Sequence, residues 1–253
     1  MEVKYLMDTT LRMYNTSHKI LALMKKIKFT QEQKMLHHLI LHSHDVPTAL
    51  GLLDGMTGIM LVLVHYARVR KMPVVEYVSD YLMEQITKNI TKATSISFGN
   101  GMSGIGWGIE YLIQNGYMKG CGVELTREID ERIMGVDIRR MTDDTMENGF
   151  IGLFHYVMAH VQGATLQGYK AFDRQYIDDW KHVLQRRCEC YPQDKQWEVM
   201  SEMLTKTIDG QCIYSLDLLQ FIKPMKRAPF DLLGLHNGLA GYIELQLHNI
   251  QCV

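Results

Sequence analysis

A short glycine motif occurs four times in the chain, and each copy opens with an acidic or amide side chain. The copies follow the pattern Asp/Asn-Gly-x-x-Gly and begin at Asp54, Asn100, Asn148 and Asn237. Such side chains accept hydrogen bonds from the free N–H groups at a helix start, so we predict that each one caps a helix. Parallel helices would gather their N-termini at one end, where partial positive charge can bind an anion or a peptide carbonyl.

His236 stands directly before the fourth copy and is the one strong metal ligand beside these motifs. A zinc site needs three or four protein ligands, and the sequence places no second or third ligand next to this histidine. We therefore predict a ligand-binding site without a metal, with zinc at His236 as the alternative. The predicted ligand-binding residues are Asp54, Asn100, Asn148, His236 and Asn237.

The position six residues after the first glycine falls at the same place in each following helix. Leu61, Trp107, His155 and Glu244 occupy this position. Because buried polar groups need partners, we interpret His155 and Glu244 as a structural hydrogen-bonded pair or as a proton-transfer couple. These two residues and Asp54 are the candidate catalytic residues.

Other patterns in the chain are typical of chemistry but lack the context that the chemistry requires. Gly99, Gly101 and Gly104 match the G-x-G-x-x-G dinucleotide fingerprint, which needs a preceding strand and a βαβ unit. The sister copies lack the first of these glycines, and all precede helical segments. We interpret the His38 and His42 pair as a surface patch, and the Cys188-Glu189-Cys190 run as ordinary thiols.

The copies define a helical repeat of about 46 residues, since their first glycines lie 46, 48 and 89 residues apart. The last interval is nearly two periods, so one copy near residue 194 has lost its glycines. Each copy precedes an apolar stretch typical of a helix buried on nearly all sides, and one-sided apolar stripes between them predict outer helices. We predict an all-α fold, an α/α toroid of about five to six hairpins with the motif turns at one end. An open α-solenoid is the alternative.

We expect one domain over residues 1–253, with an N-terminal helical hairpin in 1–50 and the repeats in 51–253. About eleven helices are expected. The first covers residues 5–27; the second opens with a capping box of Thr30 and Gln33 and ends at Pro47. We expect segments 196–208 and 213–222 to form the helical hairpin of the copy that lost its glycines. The last inner helix, 239–250, can use an N-terminal helix as its outer partner.

Composition excludes several classes of protein. The 253 residues are 47% hydrophobic, and 27 Lys+Arg oppose 28 Asp+Glu, so no basic face is available to neutralise nucleic-acid phosphates. The longest apolar run, 59–64, is far shorter than the roughly 20 residues that span a bilayer. The start of the chain lacks the features of a secretion signal, and the five scattered cysteines are typical of reduced thiols. We predict a cytoplasmic protein that binds neither nucleic acid nor membrane.

The second copy resembles the glycine repeat of lanthionine synthetase C-like proteins. The resemblance lies in SFGNGMSGIGWG followed by IEYL, at 97–112, and the other copies extend it over about residues 50–253. It implies a toroid of helical hairpins with the glycine turns at the centre of one end. Active members hold zinc there with two cysteines and a histidine, and activate a peptide cysteine thiolate for addition to a dehydrated serine or threonine.

In that family the zinc ligands stand one or two positions before the first glycine of particular copies. The pairs at these positions are Leu53-Asp54, Gly99-Asn100, Glu147-Asn148 and His236-Asn237. None contains a cysteine, and His236 stands where the family motif has one. The resemblance thus implies a relative without zinc-dependent cyclase activity, which binds a peptide or partner protein at the Asn/Gly end and assists peptide modification.

Two enzyme hypotheses stay open beside this one. The first is a cyclase-like peptide-modifying enzyme whose site is rebuilt around His236. The second is an α/α-toroid carbohydrate-active enzyme, which needs two carboxylates roughly 5 to 9.5 Å apart across the toroid opening. Asp54 and Glu147 are the pair we nominate for that role.

Overall fold

The protein is described by a computed structural model that covers residues 29–43 and 49–251. These ranges contain ten α-helices and no β-strand, which confirms the all-α prediction for this part of the chain. The helices are α1 Gln31–His42, α2 Met56–Arg70, α3 Pro73–Asn89, α4 Met102–Gln114, α5 Gly122–Leu125, α6 Arg127–Met134, α7 Phe150–Leu166, α8 Arg174–Cys190, α9 Lys195–Ile208 and α10 Leu239–Gln251. None of the described helices combines the length and apolar character needed to cross a membrane. The predicted helix at 5–27 lies outside the described residues, and so does Pro47, where the second helix is predicted to end.

Four helices begin directly after the first glycine of a motif copy, and they form the interior of the fold. These inner helices are α2, α4, α7 and α10, and they pack in the order α10, α2, α4, α7. Outer helices cover them: α3 packs on α2, while α9 packs between α7 and α8. The predicted capping box of Thr30 and Gln33 opens α1. The expectation that an N-terminal helix serves as the outer partner of the last inner helix is also confirmed, because α1 packs against α10.

The predicted helix at 213–222 is wrong, because this described segment contains only the 3₁₀ turn Leu218–Phe221. Gln162 of α7 gives the physical reason. Its side-chain oxygen accepts from the Tyr214 N–H, and its side-chain nitrogen donates to the Tyr214 carbonyl, both at 3.0 Å. A side chain therefore satisfies backbone groups that a helix would have paired.

The segment that contains Tyr214 carries an aromatic residue into the core between the inner helices. The ring of Phe221 lies 5.0 Å from Trp107 and 5.2 Å from Phe98, measured between centroids. All three side chains are buried. Burial of such large apolar surfaces is a main source of stability, so this segment belongs to the core although it lacks regular helix.

The second glycine of each motif copy lies against the backbone carbonyl of the residue six positions earlier. A Cβ at these glycines would stand 2.0 to 2.1 Å from that oxygen. The pairs are Gly58 with Leu52, Gly104 with Phe98, Gly152 with Met146, and Gly241 with Leu235. Only glycine permits this approach, which explains the repetition of this residue in the sequence.

Replacing Gly104 with alanine should lower the free energy of unfolding by about 3 kcal/mol, because two backbone segments must move apart. The new Cβ would meet the carbonyl oxygen of Phe98 at 2.1 Å and the amide nitrogen of Leu52 at 2.6 Å. Chemical denaturation followed by circular dichroism measures the loss.

Gly135→Ala is the matched control, since this glycine has a helical φ of -68° and its Cβ would find its nearest neighbour, the Arg132 carbonyl oxygen, at 3.3 Å. We expect a change within about 1 kcal/mol for it. Equal effects of the two substitutions would contradict the role assigned to the second glycine.

Candidate functional site

The predicted side-chain caps are wrong for the inner helices α2, α4 and α7. Gly55, Gly101 and Gly149 occupy the N-cap positions of α2, α4 and α7, and no side chain of the described chain caps these three helices. Backbone carbonyls do so in all four copies: the first helical N–H donates to the carbonyl seven residues earlier, at 2.7 to 2.9 Å. The donor and acceptor pairs are Met56 to Ala49, Met102 to Ser95, Phe150 to Asp143, and Leu239 to Leu232. The loop before each helix thus folds back and supplies the oxygen expected from the Asp or Asn side chain.

This arrangement leaves the first residue of each motif on the surface. Asp54, Asn100, Asn148 and Asn237 are all exposed. An exposed carboxylate or primary amide offers acceptors, and in asparagine also donors, for a ligand. The backbone caps therefore make these side chains available for binding.

The loops that carry these residues are hydrogen-bonded to one another through the backbone. We name them loop 1 (51–54), loop 2 (97–100), loop 3 (145–148) and loop 4 (234–237). The N–H groups of Leu52 and Leu53 donate to loop 2 at 3.2 and 3.0 Å, and that of Gly99 donates to loop 3 at 2.8 Å. Those of Leu235 and His236 both donate to the Leu53 carbonyl, at 2.7 and 2.9 Å. The four loops thus form one row in the order 4, 1, 2, 3, which we call the motif-loop face.

His236 is held in one orientation at the end of this row. Its Nδ1 lies 2.5 Å from the carbonyl oxygen of Phe221, and because a carbonyl only accepts, Nδ1 carries the proton in that bond. Its Nε2 faces loop 3, with the Glu147 carboxylate 4.0 Å away. Loops 3 and 4, at opposite ends of the row, therefore approach each other through these two side chains.

A groove of about 590 Å³ opens beside loops 1 and 4. Two of the predicted ligand-binding residues, Asp54 and Asn237, line it. Its other walls combine histidine, aspartate and apolar side chains, namely His38, His42, Asp231, Phe230, Leu232 and Leu233. The two histidines interpreted as a surface patch have ring centroids 4.5 Å apart, and His38 Nε2 lies 3.0 Å from the Phe230 carbonyl oxygen. The groove thus brings the predicted site next to apolar surface.

The predicted pair of His155 and Glu244 is wrong, because each has a different partner. The Nδ1 of His155 lies 2.9 Å from the hydroxyl of Tyr214, which in turn accepts a 2.8 Å hydrogen bond from Trp107. Glu244 pairs instead with His65, at 2.7 Å between Oε1 and Nδ1. The partner of His155 is therefore Tyr214 and not Glu244. Tyr214 reaches His155 because the irregular segment that contains it is inserted into the core.

His65 was missed by the sequence reasoning although a signal for it existed. It stands four residues after Leu61, so it lies one turn further along the inward face of α2. Glu244 is 3% exposed, and its second carboxylate oxygen has no hydrogen-bond partner among the described residues. Both groups lie within the helix packing, so they do not join the motif-loop face.

A second buried network was not predicted, and it links α4, α6 and α7. The Nδ1 of His160 donates to Glu110 at 2.7 Å, and its Nε2 forms an ion pair with Asp130 at 3.1 Å. The hydroxyl of Tyr156 donates to Asp130, and Gln114 donates to Glu110 at 2.7 Å. His160, Glu110 and Asp130 form a triad whose three members are all buried. The signal was a charged residue, Glu110, within an apolar inner helix, since such a residue needs a buried partner.

The network fixes the charge of His160. Burial alone would lower its pKa, but the hydrogen bonds to Asp130 and Glu110 outweigh that effect and raise the pKa to about 9. The imidazolium therefore neutralises one of the two carboxylates at neutral pH. Because no member of the triad is exposed to solvent, we assign it a structural role.

The donor set on the motif-loop face does not fit the zinc site that the family resemblance implies. At the ligand positions the loops supply the imidazole of His236 and the carboxylates of Asp54 and Glu147, but no cysteine. Cys121, Cys188, Cys190 and Cys212 lie outside the four loops. Within residues 29–43 and 49–251 no group of three or more His, Cys, Asp or Glu side chains is placed to hold a metal ion.

Comparison of the chain with family models, with curated proteins and with solved structures finds no match.

The charge of His160 predicts an alkaline loss of stability. Replacing His160 with glutamine should lower the free energy of unfolding by about 3 to 5 kcal/mol at pH 6, because two carboxylates stay buried without a countercharge. The folded pKa of about 9 exceeds the ordinary 6.5, so the stabilisation is complete below pH 6.5 and is lost as the pH rises through 9. Urea denaturation should show a smaller difference between the two proteins at pH 9.5 than at pH 6. The same difference at both pH values would contradict a charged His160.

His155 predicts an effect of the opposite sign. Burial lowers its pKa to about 4, so the folded protein resists protonation of this ring below pH 6.5. Wild-type stability should fall as the pH drops from 6.5 towards 4. His155→Asn keeps an acceptor for Tyr214 but cannot be protonated, so its stability should depend less steeply on pH in this range. Parallel pH profiles of wild type and variant would rule this out.

Proposed function

We propose that the protein is a lanthionine synthetase C-like protein without zinc-dependent cyclase activity, which binds a peptide or partner protein on its motif-loop face. The observation that carries the proposal is the row of hydrogen-bonded loops that exposes Asp54, Asn100, Asn148 and Asn237. In this proposal the inner helices form an α/α toroid. Two facts support that shape: the packing order α10, α2, α4, α7, and the approach of His236 to Glu147 across the row.

A peptide suits this face for chemical reasons. A peptide backbone presents alternating N–H and carbonyl groups, and an asparagine amide pairs with both. The groove beside loops 1 and 4 adds apolar contacts from Phe230, Leu232 and Leu233, which can receive a peptide side chain. Such a pairing of polar anchors with apolar surface is typical of binding sites. The same contacts are consistent with a role as an accessory in peptide modification.

A site rebuilt around His236 is the second candidate function, and one observation favours it. The Phe221 carbonyl holds the proton on Nδ1 of His236, so Nε2 is the acceptor and is directed towards Glu147. An imidazole whose Nδ1–H is held by an acceptor presents Nε2 as a general base. In this version the bound peptide would be a substrate and His236 would take its proton.

Asn148→Leu tests peptide binding on the motif-loop face. Peptides are first selected from a random phage library on the wild-type protein. In fluorescence anisotropy they should bind the variant at least about tenfold more weakly, because the loss of a polar contact worth about 1.4 kcal/mol corresponds to that factor. The stability of the variant should stay within about 1 kcal/mol, because Asn148 caps no helix. The matched control is Asn89→Leu, at an exposed asparagine at the end of α3. Equal binding by all three proteins, or no selectable peptide, would contradict the proposal.

The zinc content of the protein distinguishes both proposed functions, peptide binding and a site rebuilt around His236, from that of an active zinc cyclase. We expect wild type and His236→Ala, purified without chelators or a histidine tag, to contain far less than one zinc per chain by elemental mass spectrometry. The reason is the donor set, which lacks a thiolate, and in the described residues no three potential ligands are placed together as a zinc site requires. One zinc per wild-type chain that is lost in His236→Ala would overturn the assignment and restore the cyclase hypothesis.

A further inference from the structure

An arginine-lined cavity lies outside the motif-loop face, between segment 139–144 and the C-terminal turns of α8. Its volume is about 310 Å³. Four of the residues that line it are arginines, Arg139, Arg140, Arg186 and Arg187. Guanidinium groups repel one another, and their planar donor forks match oxyanions, so such a cluster indicates an anion site.

Two of the arginines are held by the protein itself. The guanidinium of Arg187 pairs with Asp144, donates to the Met141 carbonyl at 3.1 Å, and lies 4.1 Å over the ring of Phe150. Arg139 forms a two-pronged pair with Asp137, at 2.7 and 3.2 Å. Arg187 also offsets the partial negative charge of the α8 C-terminus. These two side chains give the cavity its shape.

The other two arginines have charge available for a ligand. Arg140 is 87% exposed and shares the carboxylate of Asp137 at 3.2 Å, an exposed ion pair that an anion can replace. Arg186 is exposed and forms no hydrogen bond or ion pair with the described part of the chain. The cavity lining holds four arginines and one acidic residue, Asp144, so it carries a net positive charge. Asp137 and Asp179 pair with Arg139 and Arg140 from outside the lining.

We propose that this cavity binds a phosphate-type oxyanion, either free phosphate or a phosphate monoester. Arg140 belongs to segment 139–144 and Arg186 to α8, so each wall of the cavity contributes one guanidinium that can donate to a tetrahedral dianion bound in it. A monocarboxylate presents only one edge and would meet one of the two forks. Asp144 lines the same cavity and repels the ligand, which limits its affinity.

Calorimetric titration of the full chain with sodium phosphate, at constant low ionic strength, tests this site. Arg140→Gln/Arg186→Gln should weaken saturable binding at least about tenfold, the loss expected from charge-assisted hydrogen bonds. Asp144→Asn should strengthen it, a gain that misfolding cannot mimic. The matched control is Arg174→Gln on the same helix, where a 95% exposed arginine lies outside the cavity. The absence of saturable binding by wild type, or equal binding by the double variant, would overturn the proposal.

Phenyl phosphate and acetate complete the titrations. Tighter binding of phenyl phosphate than of inorganic phosphate would identify a monoester as the preferred form, whereas the reverse would identify the free anion. Acetate should bind at least about tenfold more weakly than either, because it meets fewer donors. Acetate binding equal to that of phosphate would contradict the assigned ligand class.

Cys190 provides an independent readout of location, because it is exposed and lines the cavity. Alkylation by iodoacetamide, followed by peptide mass spectrometry, should become at least threefold slower at Cys190 in saturating phosphate. The exposed thiol of Cys212 does not line the cavity and should react at an unchanged rate. Saturable phosphate binding that leaves the Cys190 rate unchanged would place the anion elsewhere and overturn the proposal.

Discussion

The backbone hydrogen bonds among the four motif loops are the constraint on which the rest of the described structure depends. The chain before each loop folds back so that the carbonyl seven residues before the helix start caps the inner helix, and backbone groups of the loop then pair with the neighbouring loop. The Leu53 carbonyl, for example, accepts from both Leu235 and His236 of loop 4. The second glycine of each motif is required because a loop folded in this way leaves no space for a Cβ. The helix starts are therefore brought together by backbone contacts, while the variable Asp and Asn side chains remain exposed for binding.

Below this face, the inner helices keep two histidines in opposite charge states by means of their surroundings. His160 lies between two buried carboxylates and is charged, whereas His155 lies beside the hydroxyl of Tyr214 and is neutral. Two carboxylates offset the desolvation of an imidazolium, while a phenol does not. Both histidines are on α7, so one helix connects a charged network near α6 with an aromatic core near the inserted segment. These interactions fix the packing of α7 against α4, and with it the position of loop 3.

Parts of this structure follow from the sequence, and the failures have physical reasons. The glycine repeat correctly predicts where the four inner helices begin, because glycine and apolar periodicity are local signals. The repeat does not reveal which group caps each helix. A free N–H at the helix start can bond to an Asp or Asn side chain or to a backbone carbonyl seven residues earlier, and the sequence pattern is the same in both cases. The helix expected at 213–222 fails because Gln162, some fifty residues away, binds the backbone of Tyr214. The triad of His160 is likewise not predictable from local sequence, because its partners Glu110 and Asp130 belong to two other helices. The exposed motif residues were identifiable from the pattern alone, but the groove beside them depends on α1 and on residues 230–234.

Hydrogen exchange of the loop amides tests the central claim most directly, because the claim is that the four loops form one bonded unit. The informative amides are those of Leu53, Gly99 and His236, each of which donates to a different loop. The account predicts that they exchange slowly and with opening free energies close to those of the inner-helix amides, as members of one cooperative unit. Exchange at the rate of exposed loops, with the inner helices still protected, would contradict it and would leave the motif residues without a common face.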